Sequence, residues 1–194
     1  RPVNLPHSAN AKLNDAPILH IRVPQLVLII MGVVGAGKTT VGTLLAQKLC
    51  WIFADADDFH PVVNIEKMSH GVPLDDSDRA PWLKALHDSI LRWNAKRQNA
   101  VLACSALKHK YRDELRAPGV QFVYLQGTPE LIRERLHSRQ GHFATDSILK
   151  SQFEDLEMPT DAITVNVDKS PQEIVKEIVH KLGALGVYPD ATHK

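Results

Sequence analysis

Apolar residues along this chain gather into short unbroken runs, separated by stretches of helical period. Leu26 to Met31 is apolar throughout, as expected of a strand buried on both faces. Trp51 to Ala54, Ala100 to Cys104 and Phe122 to Leu125 are further runs of this kind. In a fifth, Ile163, Val165 and Val167 alternate. Helix-spaced sets lie between them: Val41, Leu44, Leu45 and Leu49; then Trp82, Leu83, Leu86, Ile90 and Trp93; then Ile148, Leu149, Phe153 and Leu156; then Ile174, Val175, Ile178, Val179 and Leu182. Thr128 before Pro129 reads as an N-cap, and Asp146 as another. Ser170-Pro171-Gln172-Glu173 is a capping box, and Gly183 a natural stop. Strands alternating with helices predict an α/β fold with a mostly parallel sheet covered on both faces. Ligands of such sheets bind at the carboxyl ends of the strands, here after Met31, Ala54, Cys104 and Leu125.

Residues 1–24 carry four prolines and no period, and read as a flexible tail. A single domain is expected over 25–183, with a second tail over 184–194. A chain of 194 residues buries enough surface for a real core. The net charge of +1 gives no global attraction to nucleic acid or to an anionic membrane, so neither is expected as a partner. No apolar run approaches the ~20 residues of a membrane span. Cys50 and Cys104 form no metal-ligand spacing, and both are read as buried thiols of a reducing compartment, the cytoplasm.

Gly32-Val33-Val34-Gly35-Ala36-Gly37-Lys38-Thr39 satisfies the pattern G-x-x-x-x-G-K-S/T, between the first strand and the first helix. One such match by chance in a chain this long is expected on the order of 1% of the time. Glycines let backbone N–H groups close around an anion, and the helix N-terminus adds its dipole. Gly32, Gly35, Ala36, Gly37, Lys38, Thr39 and Thr40 are therefore assigned to the phosphates of ATP. Lys38 reaches the β- and γ-phosphates, and Thr39 is a Mg²⁺ ligand. A guanine-reading NKxD segment is absent, since Asn166-Val167-Asp168-Lys169 has the wrong order.

Asp55-Ala56-Asp57-Asp58-Phe59-His60-Pro61 follows the second strand directly. Three acids in four positions repel one another, and a cation or hydroxyl donors would relieve them. Kinases of alcohols need a carboxylate that accepts or orients the hydroxyl proton. Arg79 can clamp a carboxylate through its planar fork, or can pair with a neighbouring Asp instead. His60 and Trp82 could line the same pocket. Lys108, His109, Lys110 and Arg112 form a basic cluster after the third strand, expected to be mostly solvated.

These stretches together resemble the gluconokinase family, within the shikimate-kinase-like P-loop kinases. The matching segments are the phosphate loop, DADDFHP, Asn64 to Leu83, Ala103 to Leu115, Gly141 to Phe143 and Ser151 to Glu157. The resemblance spans roughly residues 26–182. It implies phosphorylation of D-gluconate at the 6-hydroxyl by ATP and Mg²⁺. It also implies a nucleoside-monophosphate-kinase-like fold with a five-stranded parallel sheet in the order 2-3-1-4-5. An acceptor region about 57–95, a mobile lid about 133–146 and a homodimer are implied as well. Residue by residue, it makes Asp57 the base and Asp55 the acid near the metal. His60, Arg79, Lys108, His142 and Gln152 become acceptor contacts. Arg135 and Arg139 become lid arginines at the ATP phosphates, with Lys38, Asp57 and Arg139 the catalytic set. Asn166 and Pro171 border adenine. Val34 and Ala36 stand where the family usually has serines. A related kinase with a shikimate-like acceptor usually has a glycine triplet where this chain has Cys104-Ser105-Ala106. A 5′-hydroxyl nucleic-acid kinase would need an extended basic surface. A non-catalytic nucleotide-binding regulator would have no need of Asp57 and Arg79.

Overall fold

In the computed structural model, which describes residues 25–138 and 146–186, the first apolar run becomes β1 (Val27–Met31), with every side chain buried. There follow α1 (Lys38–Leu49), β2 (Ile52–Asp55), a 3₁₀ turn (Ala56–Phe59), α2 (Val62–Ser69), α3 (Asp76–Ala95) and β3 (Ala100–Ala103). The chain continues through α4 (His109–Glu114), β4 (Val120–Gln126), α5 (Pro129–Ser138), α6 (Asp146–Asp155), β5 (Ile163–Asn166) and α7 (Pro171–Ala184). Among the described residues the strands form one five-stranded parallel sheet in the order β2-β3-β1-β4-β5.

Alternation along β1 assigns its side chains to two cores. Leu28 and Ile30 pack with Val41 and Leu45 of α1 and Ile178 and Leu182 of α7. Val27, Ile29 and Met31 pack with Leu86 and Ile90 of α3 and with Tyr111 and Leu115 at α4. Burial on both faces explains why the run shows no polar interruption. Asp55 pairs with Ala103, and Ala103 with Ile30, so the ends of three strands stand level at one edge.

Several boundaries differ from the sequence expectation. The second strand ends at Asp55 rather than Ala54, which makes Asp55 the last rung of the ladder. The helix expected from Trp82 begins at Asp76, where Asp75 and Asp78 form a reciprocal capping box. Its first turn is polar, so no apolar period marked it. Thr128 caps α5 through its hydroxyl to the Leu131 N–H, and Ser170 and Glu173 cap α7 as expected. Asp146 is the first helical residue of α6 rather than a demonstrated cap. Its carboxylate meets His137 and Arg133 of α5. Gly183 lies inside α7, and Gly186, at φ 72°, takes the left-handed position after the helix end. The helix itself runs to Ala184. Cys104 is buried as expected. Cys50 is exposed and closes α1 in a left-handed conformation at φ 55°.

Arg112 is the largest departure in the basic cluster. It is buried, at 1% exposure, and donates to the Ala106 and Leu107 carbonyls. Ala106 has φ 45°, a strained value for a non-glycine residue, and Arg112 pins that turn from beneath. Replacing Arg112 with Met should cost on the order of 3 kcal/mol in chemical denaturation, because the Ala106 carbonyl loses its partner. Retention of wild-type stability by this variant would show that the turn holds itself.

Candidate active site

The phosphate loop leaves β1 at Gly32 and enters α1 at Lys38. Gly35 (φ 80°) and Gly37 (φ 95°) occupy left-handed conformations. A Cβ at Gly35 would also lie 2.9 Å from Leu136 Cγ of α5, so the loop packs closely against that helix. Lys38 Nζ donates to the Val33 carbonyl at 3.0 Å and so folds back over the loop. Burial lowers the Lys38 pKa, while Asp57, Cys104 and Asp55 act against that shift. Gly35, Gly37, Lys38, Thr39 and Thr40 line a cavity of about 250 Å³ with Asp55, Asp57 and Ser105. Gly32 and Ala36 lie behind this lining, buried in the loop.

Thr39 Oγ1 donates to Asp55 Oδ2 at 2.8 Å, and the Asp57 N–H donates to Asp55 Oδ1 at 3.2 Å. Both oxygens of Asp55 are thus held, which fixes its carboxylate at the mouth of the loop. Asp57 sits in the following 3₁₀ turn. Its carboxyl is pushed above the usual aspartate value, first by partial removal from water and then by Asp55. Lys38 and His60 pull in the opposite direction. Thr39 and Asp55 offer hard oxygen donors of the kind Mg²⁺ takes, few in number and beside a phosphate site.

A second cavity, about 630 Å³, opens on the other side of Asp57. Asp57, Ser105 and Gln152 line both cavities. The second also holds His60, Trp82, Arg79 and Tyr111. His60 stacks on Trp82 with ring centroids 4.6 Å apart, and Trp82 is anchored by its indole N–H to the Ala56 carbonyl at 2.7 Å. Desolvation lowers the His60 pKa, and its Nδ1 has no hydrogen-bond partner among the described residues. A neutral imidazole in that position can donate to or accept from a hydroxyl. Arg79 lies in the first turn of α3, a rigid mount. Its Nη1 donates to Tyr111 Oη at 3.1 Å.

A phosphate cradle joined through a carboxylate to a second, larger cavity with a guanidinium wall is the arrangement of a small-molecule kinase. The shikimate kinase family profile matches residues 34–183. Gluconokinase of Gluconobacter oxydans (strain 621H) is 43% identical, over 81% of this chain and 91% of that protein. Thermoresistant gluconokinase of Escherichia coli (strain K12) is 40% identical, over 79% and 91%. The crystal structure of a gluconokinase from Sinorhizobium meliloti 1021 aligns with a TM-score of 0.75 at 42% identity, over 84% of this chain and 94% of that one. The chain belongs to the gluconokinase family. Shikimate kinase from Aquifex aeolicus vf5, at 19% identity and a TM-score of 0.54, shares the fold.

Within this gluconokinase-family site, the expected residues do not all converge. Lys38, Thr39, Asp55, Asp57, His60, Arg79 and Gln152 gather around the two cavities. Lys108 does not line them. It caps α4 and pairs with Asp155 at 3.1 Å, on the rim. Arg135 donates to the Val167 carbonyl, beside Asn166 and ahead of Pro171, and is not among the residues that line the phosphate cavity. Arg139 and His142 lie outside the described residues. Gln152 is placed more deeply than expected: its Oε1 accepts the Val34 N–H at 2.6 Å, within the phosphate loop itself. Ser105 and Tyr111 were not singled out from the sequence. The signals for Ser105 were its position just past the third apolar run and its place in the family-matching segment from Ala103 to Leu115.

Because Asp57 binds its proton more tightly in the folded protein than at the ordinary value of 3.8, its ionised form weakens the fold. Its stabilising contribution is complete below pH 3.8 and is lost as pH rises through the raised value. Asp57→Asn should therefore raise Tm at pH 7 by about 1–3 °C, a gain that disappears below pH ~4. Thermal melts across that range check it, and a lower Tm at pH 7 would contradict the desolvated-carboxylate description.

Proposed function

We propose that the protein transfers the γ-phosphoryl group of ATP to the 6-hydroxyl of D-gluconate, giving 6-phospho-D-gluconate and ADP. The observation that carries this reading is the sharing of Asp57 between the phosphate cavity and the acceptor cavity, with Arg79 in the wall of the latter. The family name of the relatives supplies gluconate as the acceptor; the cavity supplies the reason a polyol acid fits. Arg79 offers a planar fork to the carboxylate. His60 and the Trp82 face meet the hydroxylated chain, with the His60 ring able to bond a hydroxyl. Asp57 then receives the terminal hydroxyl, orients it toward the phosphate and takes its proton. A carboxylate with a raised pKa is a better base for this step than an ordinary aspartate.

Lys38 and the loop N–H groups hold the β- and γ-phosphates. Thr39 directly, and Asp55 directly or through water, would hold Mg²⁺, which supplies charge neutralisation between the β- and γ-phosphate oxygens. Asn166, Pro171 and Arg135 form the border of the adenine site, with Arg135 steadied by the Val167 carbonyl. Arg139 and His142 are assigned to the γ-phosphate and the acceptor on closure, a movement that excludes water from the transfer. Lys108 supports the acceptor rim through Asp155.

Coupled measurement of ADP release across D-gluconate, other sugar acids, shikimate and nucleosides should give turnover with gluconate far above the rest. Turnover with another acceptor and none with gluconate would overturn the reading. Asp57→Asn should lower kcat by about 10²–10⁴-fold with ATP binding near normal, and wild-type turnover would remove Asp57 as the base. Arg79→Ala should raise KM for gluconate by about 30-fold or more, the loss of a buried charged contact costing roughly 2–5 kcal/mol. A change confined to KM for ATP would show that Arg79 serves the nucleotide instead.

A further inference from the structure

Arg79 stands amid acids, yet none of them holds it. Asp75 is three residues from Asp78 and four from Arg79, Asp76 is three from Arg79 on the same helix face, and Asp78 is adjacent. A guanidinium on such a turn ordinarily collapses onto the nearest carboxylate. Each acid has another partner. Asp75 accepts from the Ser77 hydroxyl and the Asp78 N–H, capping α3. Asp78 pairs with Lys67 at 2.6 Å. Asp76 takes Lys110 on Oδ2 and the Tyr111 hydroxyl on Oδ1 at 2.6 Å.

Tyr111 reaches across from α4 and stands between Asp76 and Arg79. Its direction of hydrogen bonding is fixed by chemistry. Asp76, its pKa lowered to about 2 chiefly by Lys110 and then by Tyr111, is an acceptor only. The single hydroxyl proton of Tyr111 therefore goes to Asp76, and the oxygen's lone pair receives Arg79 Nη1–H. The guanidinium also lies 5.6 Å from the centroid of the Tyr111 ring, within cation–π range. One side chain thus occupies the Asp76 oxygen that Lys110 leaves free and gives Arg79 a neutral anchor. Tyr111 is 8% exposed, and its packing in the α3–α4 core leaves it little freedom to move.

We propose that Tyr111 is a positioning residue for acceptor selection: its hydroxyl holds Arg79 away from Asp76, keeping the guanidinium available to the carboxylate of the acceptor. This rests on the gluconate-clamp reading of Arg79. Without the hydroxyl, Arg79 and Asp76 are left to satisfy each other directly, and an acidic acceptor must break that pair before it can bind. The cost falls on acceptor binding, because neither Arg79 nor Tyr111 touches the phosphate cavity.

Steady-state kinetics of three variants test it, with circular dichroism melts to establish folding. Tyr111→Phe should raise KM for gluconate by about tenfold or more, with the change in KM rather than kcat and with KM for ATP unmoved. Adding Asp76→Asn to Tyr111→Phe should return KM for gluconate toward wild type, because the competing carboxylate is gone. A purely structural role for Tyr111 would not be rescued this way. A wild-type KM in Tyr111→Phe, or a raised KM that Asp76→Asn leaves unchanged, overturns the proposal. Arg79→Ala separates the two levels. If it raises KM for gluconate while Tyr111→Phe does not, the clamp stands and the role of Tyr111 falls. If Arg79→Ala leaves KM for gluconate unchanged, the clamp falls and the role of Tyr111 with it.

Discussion

The parallel register of β1, β2 and β3 sets the height of everything at the active edge. Ile30, Ala103 and Asp55 are paired across the ladder. Two residues beyond each stand Gly32, Ser105 and Asp57, the start of the phosphate loop, a residue shared by both cavities and the assigned base. A slip of one residue would turn every side chain of a strand to the opposite face. That slip is strongly opposed here, because alternate residues of β1 belong to two different cores. The energy that prevents it is apolar burial far from the chemistry. Its effect is felt where Asp55 meets Thr39 at 2.8 Å.

Charge is then distributed so that one acid is left reactive. Asp55 accepts from Thr39 and the Asp57 N–H, Asp75 caps a helix, Asp76 is held by Lys110 and Tyr111, and Asp78 by Lys67. Among the described residues, the Asp57 carboxylate has no hydrogen-bond donor of its own to offset its desolvation and the neighbouring charge of Asp55, which raise its proton affinity. A carboxylate supplied with donors would be a weaker base. The same logic leaves Arg79 without an acidic partner among the described residues. Both groups needed by an acceptor carrying a hydroxyl at one end and a carboxylate at the other are therefore available in the unliganded protein.

Local signals carried the sequence reading furthest. The strand runs, the phosphate loop and the caps at Thr128 and Ser170 are written in neighbouring residues, and the structure has them in place. The first turn of α3 was lost because a polar turn carries no apolar period, although its D-x-x-D capping box was present in the sequence. The same limit hid Arg112 and Tyr111 among the basic residues after β3. A charged side chain looks solvated in a sequence unless its partners are known, and the partners of Arg112 are two backbone carbonyls. Tyr111 finds its partners 32 and 35 residues away, on a helix whose start was itself misplaced.

The phosphate loop illustrates how a local segment is tied to a distant helix. Val34 and Ala36 lack the hydroxyls that serines would bring. Ala36 is 1% exposed, so a hydroxyl there would need a buried partner or pay for its desolvation. At Val34 the backbone N–H is taken by Gln152 of α6 at 2.6 Å. An N–H can only donate, so the carboxamide oxygen of Gln152 must face the loop. Its NH₂ group then remains as a pair of donors in a residue that lines both cavities. A loop with alkyl side chains in place of hydroxyls thus has amide donors beside it, carried on a helix of the acceptor side. The shape of the phosphate loop and the position of that helix are thereby tied to each other.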